Sequence, residues 1–163
     1  MIAVQENLFA AINSGADEQI VTGLTKAYYD VRAGIGFNKT PELYGAFPAD
    51  PYSHTPEGQG AKQPGMTGQV KEEILTRWGE LGVNIKDGCA VFEPKILKAD
   101  EYSSSGVLRF TWCGTKIVYK RGKKQHIVIN GKVVRDGNTL TAGESADLFA
   151  RNGKITEIVV EVI

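Results

Sequence analysis

The residues of most chemical interest lie between positions 42 and 68. Met66-Thr67-Gly68 opens a helical pattern. A helix N-terminus presents free N–H groups and the positive end of the macrodipole, so Thr67 and Gly68 are candidate ligands for a phosphate or carboxylate. An ordinary threonine cap would satisfy the same backbone donors and is the competing reading. Upstream, Tyr44, Phe47 and Tyr52 are interleaved with Asp50, His54 and Gln63. Aromatic rings stack on the CH faces of sugars while polar side chains take up the hydroxyls, which makes Tyr44, Asp50, Tyr52 and His54 the candidate substrate-binding residues for a carbohydrate. The same composition serves loop packing equally well, and a lone loop histidine is more commonly structural. Glycosidic cleavage needs two carboxyl groups about 5–9 Å apart, one of them held protonated. Glu42, Asp50 and Glu57 are available, but spacing sets none against a second, and Asp50 between Pro48 and Pro51 suits an Asx turn. No catalytic residue is assigned.

Other short patterns exclude chemistry. Cys89 and Cys113 stand alone in separate strand-like runs, without a CxxC or clustered histidines, and read as two buried reduced thiols with no metal site. Gly34-Ile35-Gly36 lacks the third glycine and preceding strand of a dinucleotide fingerprint. Gly58-Gln59-Gly60-Ala61-Lys62 lacks the Gly-Lys-Ser/Thr of a phosphate loop. Neither cofactor class is expected, nor any other. Lys120, Arg121, Lys123 and Lys124 around Gly122 read as a solvated hairpin tip that discourages edge pairing, in preference to a nucleic-acid contact.

Three unlike stretches must position these residues. Ile2, Val4, Leu8, Phe9 and Ile12 share a helical face that Asn13-Ser14-Gly15 stops; Asp17 caps a second helix carrying Ile20, Val21, Leu24, Ala27, Tyr28 and Val31 as far as Gly34. Five of the six prolines and six glycines then fall within residues 34–65, which no regular element survives. Irregular stretches beyond about 12–15 residues are functional loops or disordered segments, and the aromatic content favours a functional loop. Val70, Ile74, Leu75, Trp78 and Leu81 mark a third helix ending at Gly79 or Gly82. The period then changes to two, with turns at Asp87-Gly88, Cys113-Gly114, Asn130-Gly131, Asp136-Gly137 and Asn152-Gly153, and with Leu140, Leu148-Phe149 and Ile155–Ile163 read as further strands. The expected fold is α+β: two or three N-terminal helices and a long loop (residues 1–82), followed by an antiparallel β-sandwich of jelly-roll type (residues 83–163).

Composition sets the limits. With 19 Lys+Arg against 19 Asp+Glu, there is no global field to attract nucleic acid or an anionic membrane. No run of apolar residues is long enough for a membrane span, and the start lacks the pattern of an export signal, so a cytoplasmic location is expected. A chain of 163 residues can bury roughly 70% of its unfolded surface without staples. The 19 glycines exceed the usual proportion of about 7% and sort into the aromatic loop, the third helix start and the hairpin turns.

Asp50-Pro51-Tyr52, Met66-Thr67-Gly68, Leu81-Gly82-Val83, Asp87-Gly88 and Val91-Phe92-Glu93-Pro94 resemble the C-terminal end of cellobiose phosphorylase-type enzymes and related glycosidases. The resemblance is specific over residues 44–94. It implies the end of an α/α toroid followed by an appended β-sandwich. It also implies a contribution of Thr67 and Gly68 to an inorganic-phosphate site. The family's general-acid carboxylate maps to no residue here, a toroid needs many more helices than the three counted, and Gln69-Val70-Lys71-Glu72-Glu73 stands where the phosphorylases have small residues. The expectation is therefore the C-terminal portion of a carbohydrate-active enzyme, not catalytic alone, whose missing N-terminal catalytic region or self-association covers the apolar helix faces. A stand-alone carbohydrate-binding module using Tyr44, Phe47, Tyr52 and Trp112, or a ligand-free structural domain, are the alternatives.

Overall fold

The computed structural model describes residues 1–34 and 67–163, and the side chains of these except 34, 67–73 and 133. Three helices precede the strands, an α+β fold as the sequence pattern predicts, with one further helix lying between the last two strands. The chain forms two compact units, Met1–Arg77 and Trp78–Ile163. The division falls inside the third helix, slightly before the 82/83 boundary expected from the change of period, because the last helical turn packs with the strands: Leu81 belongs to the same buried cluster as Val83, Ala90 and Phe92.

In the first unit, α1 (Ile2–Asn13) and α2 (Glu18–Gly34) pack on each other. Their boundaries follow the expected punctuation. Gly15 takes φ +69 after α1, and Asp17 caps α2 by accepting a 2.8 Å hydrogen bond from the Gln19 amide. Leu8, Ala11 and Tyr28 are buried between them. So is Gln5, whose Nε2 donates to Tyr28 Oη at 3.2 Å and to Thr76 O at 2.8 Å. A buried amide needs such partners, and here they tie α1 to α2 and to α3 (Thr67–Leu81). Ile20 and Val31, expected on the packed face of α2, are exposed.

The second unit holds two sheets. Strands β1 (Val83–Lys86) and β2 (Cys89–Phe92) form a hairpin through Asp87 (φ +50) and Gly88 (φ +75), as the Asp-Gly signal predicts. The other sheet contains β3 (Val107–Trp112), β4 (Thr115–Arg121), β5 (His126–Ile129), β6 (Val133–Asp136) and β7 (Glu157–Val162), in the order β3-β4-β7-β5-β6. The turns at Cys113-Gly114 and Asn130-Gly131 join β3–β4 and β5–β6 with positive φ at both residues, as type I′ turns require.

Four expectations are corrected. Leu148-Phe149 is not a strand: Ala142–Phe149 is a helix, α4, opened by a capping box in which Thr141 Oγ1 accepts from the Glu144 amide and Glu144 accepts from the Thr141 amide. The strands are not antiparallel throughout: β7 inserts between β4 and β5 and runs parallel to β4. In consequence the basic stretch around Gly122 is no hairpin tip. It crosses the end of β7, where Gly122 N donates to Val162 O at 2.9 Å and Glu161 Oε1 accepts from the Lys123 and Lys124 amides at 3.1 and 3.3 Å. Finally, both cysteines are free but only half-buried, and Cys113 lies in a turn.

One face of the large sheet carries Ile117, Tyr119, Ile127, Ile129, Ile158, Val160 and Val162 and forms the core with β2, Leu140 and Leu148. Alternation places the intervening residues on the other face. There Val118, Val159, Val128 and Val134 are register partners in one row across four strands. Lys116 with Glu157 forms one flanking row, and Lys120, Glu161, His126 and Asp136 the other.

Candidate functional site

Tyr44, Asp50, Tyr52 and His54, with Phe47, Glu42 and Glu57, lie outside the described residues. Thr67 and Gly68 begin α3, and the Thr67 side chain lies outside the description as well. What the structure does bring together is the latter half of the resembling segment, where α3 passes into the sheet.

Gly82 ends α3 with φ +65, and its amide donates to Gly79 O at 3.0 Å. Its carbonyl accepts from the Glu93 amide at 2.7 Å. A Cβ at Gly82 would stand 2.0 Å from the Glu93 carbonyl carbon and 2.3 Å from Pro94 N. Tyr119 Oη donates a 2.6 Å hydrogen bond to Leu81 O, one of the carbonyls a helix end leaves without an intrahelical partner. Burial pushes this phenol far up, so it remains a donor at every physiological pH. Thus Leu81-Gly82-Val83 and Val91-Phe92-Glu93-Pro94, which flank the β1–β2 hairpin, make one corner.

Phe92 is the aromatic centre of that corner, meeting Trp112 edge-on at 5.9 Å and Tyr119 at 6.4 Å between ring centroids. Trp112, the one described candidate for sugar stacking, also meets Phe149 edge-on at 5.8 Å. It packs against the core as a partly buried residue.

Five carboxylates of the sheet unit are paired with basic side chains. Partial burial raises the Glu93 carboxyl. Lys95 Nζ at 3.5 Å, Lys86 Nζ at 3.7 Å and a hydrogen bond with the Asn138 side chain outweigh that and hold it below the usual carboxylate range. Glu144 is held further down, to about 2. The main cause is a two-pronged contact from Arg135, whose Nη1 and Nη2 lie 2.5 and 2.8 Å from the two carboxylate oxygens. Asp136, Asp147 and Glu157 are lowered too, chiefly by hydrogen bonds from Lys124, Lys154 and Lys116. All five are ionised at neutral pH, and none is held protonated as a general acid must be. Among the described residues no group of three or more His, Cys, Asp or Glu is placed to hold a metal, and no helix is long and apolar enough to cross a membrane.

The Arg135–Glu144 pair has a consequence for acid stability. The folded value lies below the unfolded one near 4.5, so its stabilisation is complete above pH 4.5 and lost as pH falls toward 2. After allowance for the solvent around a partly exposed pair, the loss is about 1–2 kcal/mol. Urea titrations at stepped pH should show this decline in the wild type and flatten it over the same window in Glu144→Gln.

Sequence reading missed the roles of three residues that organise this unit, Thr141, Glu144 and Asn130. The capping box was legible as Thr141-Ala142-Gly143-Glu144, but Leu148-Phe149 taken alone suggested a strand. Asn130 was read for its turn only; its side chain also fastens the loop before β7. No protein-family model matches the chain, and no curated protein sequence does.

Proposed function

We propose that this chain is the C-terminal portion of a carbohydrate-active enzyme, a glycoside hydrolase or phosphorylase, in which residues 34–65 contribute to the rim of the sugar site and the sheet unit is structural. It does not catalyse alone. The observation that carries the reading is the corner itself: the segments quoted for the resemblance, Leu81-Gly82-Val83 and Val91-Phe92-Glu93-Pro94, meet through the Gly82–Glu93 backbone contact at the end of a helix whose first residues are Thr67 and Gly68. Such a corner fixes the end of that helix, Trp78–Leu81, against the sheet. The lowered carboxyls of Glu93, Asp136, Glu144, Asp147 and Glu157 agree with a supporting role for those residues, because a glycosidase acid must be raised.

Calorimetric titration with inorganic phosphate and with a panel of glucan oligosaccharides tests the proposal. Saturable oligosaccharide binding lost in Tyr52→Ala, and phosphate binding weakened at least about tenfold in Thr67→Val, are the expected results, the second corresponding to a lost charge-assisted hydrogen bond of ~1.4 kcal/mol or more. Absence of heat with every saccharide and with phosphate, in a folded sample, would sink it in favour of a structural domain.

A further inference from the structure

We infer that Asn152-Gly153 is a site of spontaneous deamidation, and that its conversion to isoaspartate releases Asn130-Gly131 to react in turn, so that the two sites modify in a fixed order. These are the two Asn-Gly steps of the chain. In such a step the backbone nitrogen of the glycine, unhindered by a Cβ on its own residue, loses its proton to solvent base and attacks Cγ of the asparagine. The new N–C bond closes a succinimide ring as the Cγ–Nδ2 bond breaks, and the amide leaves as ammonia with a proton from water. Water then adds to either ring carbonyl, and the ring opens to isoaspartate, the major product, or to aspartate. The net change is hydrolysis of an amide, with no oxidant or reductant.

Attack requires Cγ to swing onto the following amide, and the fold holds the two carboxamides back unequally. Asn130 is anchored at both ends, away from its own peptide unit: Oδ1 accepts from Thr156 N, Glu157 N and Thr156 Oγ1, and Nδ2 donates to Lys154 O at 2.7 Å. Ring closure there has to break all four bonds and open a turn whose two residues both hold positive φ. Asn152 is exposed and more lightly held. Its Nδ2 donates to Asp147 Oδ1 at 2.8 Å, and its Oδ1 accepts from Lys154 N at 3.0 Å. Lys154 Nζ lies 2.8 Å from that same Asp147 oxygen, so the carboxylate keeps a partner when the amide swings away, and water replaces the rest. A Cβ at Gly153 would meet nothing within 4 Å, which leaves the loop room to bring Cγ and the glycine nitrogen together.

The two sites are joined through Lys154, whose amide is bonded to Asn152 and whose carbonyl is bonded to Asn130. Isoaspartate at 152 routes the main chain through Cβ and Cγ, lengthening it by one methylene just before Lys154. The former Oδ1 becomes a peptide oxygen. Lys154 O is then carried off Asn130 Nδ2, and the clamp that holds Asn130 away from Gly131 N loosens, together with the entry to β7. The aspartate product leaves the backbone length unchanged and the clamp in place.

Ageing of the full 17.7 kDa chain in mildly alkaline buffer provides the test, read by fragmentation mass spectrometry of the intact chain and by enzymatic methylation of isoaspartyl carboxyls. Replacement of –NH2 by –OH appears first at 152, at least about tenfold faster than at 130. Conversion of 130 follows after a lag, in molecules that already carry isoaspartate at 152. In Asn152→Gln, which keeps the amide but must close a larger ring, 152 is silent and conversion of 130 slows at least about tenfold, with unchanged circular dichroism. In concentrated urea, where neither carboxamide is anchored, the wild-type chain converts both sites at similar rates. Conversion of Asn130 that precedes or keeps pace with that of Asn152 in the folded chain, an Asn152 that is stable when folded yet reacts in urea, or an Asn130 rate unchanged by Asn152→Gln would each overturn the inference.

Discussion

Gly82→Ala should unfold the sheet unit at a temperature about 15–25 °C below the wild type, a loss of roughly 3–5 kcal/mol. Two costs combine. The left-handed backbone at φ +65 is strained for any residue with a Cβ, by about 1 kcal/mol. The larger part is steric, because the added carbon would stand 2.0 to 2.3 Å from Glu93 C, Glu93 O and Pro94 N. These are backbone atoms, so no rotamer change relieves the clash. Separation would also break the 2.7 Å hydrogen bond from the Glu93 amide to Gly82 O. Gly88→Ala isolates the first cost: it has the same sign of φ, at +75, but no atom within 4 Å of its Cβ position. It should lose only about 1 kcal/mol. Equal melting temperatures for the two variants in a thermal scan would mean that the Gly82 corner is not close-packed.

Replacement of Asn130 is expected to be the next most costly change. Asn130 sits at φ +50 in the β5–β6 turn, a conformation that asparagine tolerates better than alanine. Its side chain closes a second loop. Oδ1 accepts from the amides of Thr156 and Glu157 at 2.9 and 3.1 Å and from Thr156 Oγ1 at 3.0 Å, while Nδ2 donates to Lys154 O at 2.7 Å. The bonds hold the entry to β7, the strand that must insert between β4 and β5. Solvent replaces part of what is lost at this exposed site, so Asn130→Gly, which keeps the backbone freedom, should cost about 1–2 kcal/mol. Asn130→Ala should cost about 2–3 kcal/mol by adding the strain. Chemical denaturation of both variants checks the order; a glycine variant as stable as the wild type would reduce Asn130 to a turn residue.

Local signals were legible where local physics decides. Asp87-Gly88, Cys113-Gly114 and Asn130-Gly131 became turns with positive φ because few other dipeptides reach that conformation without strain. Asp17 capped α2, and Gly82 ended α3. The misreadings arose where a short apolar run had two outcomes. Leu148 and Phe149 are compatible with strand or helix, and only the Thr141–Glu144 capping box tips the balance toward a helix whose Ser145 Oγ accepts from Ala90 N of β2. For the candidate site, sequence supplied the chemistry of Tyr44, Asp50, Tyr52, His54, Thr67 and Gly68 through composition and resemblance, with no geometry attached. Phe92 and Trp112 show the difference, since only the fold reveals that both rings serve packing.

The sequence by itself determined the α+β order, the positions of most turns and the absence of a one-sided charge. Each follows from residue type and spacing within a short window. Tertiary structure alone decided that β7 enters between β4 and β5, that Glu161 anchors the basic crossover, and that lysines and glutamates line up as adjacent columns on one face. These depend on pairings between residues tens of positions apart, whose free energy comes from burying a shared core and not from any preference of the paired segments themselves.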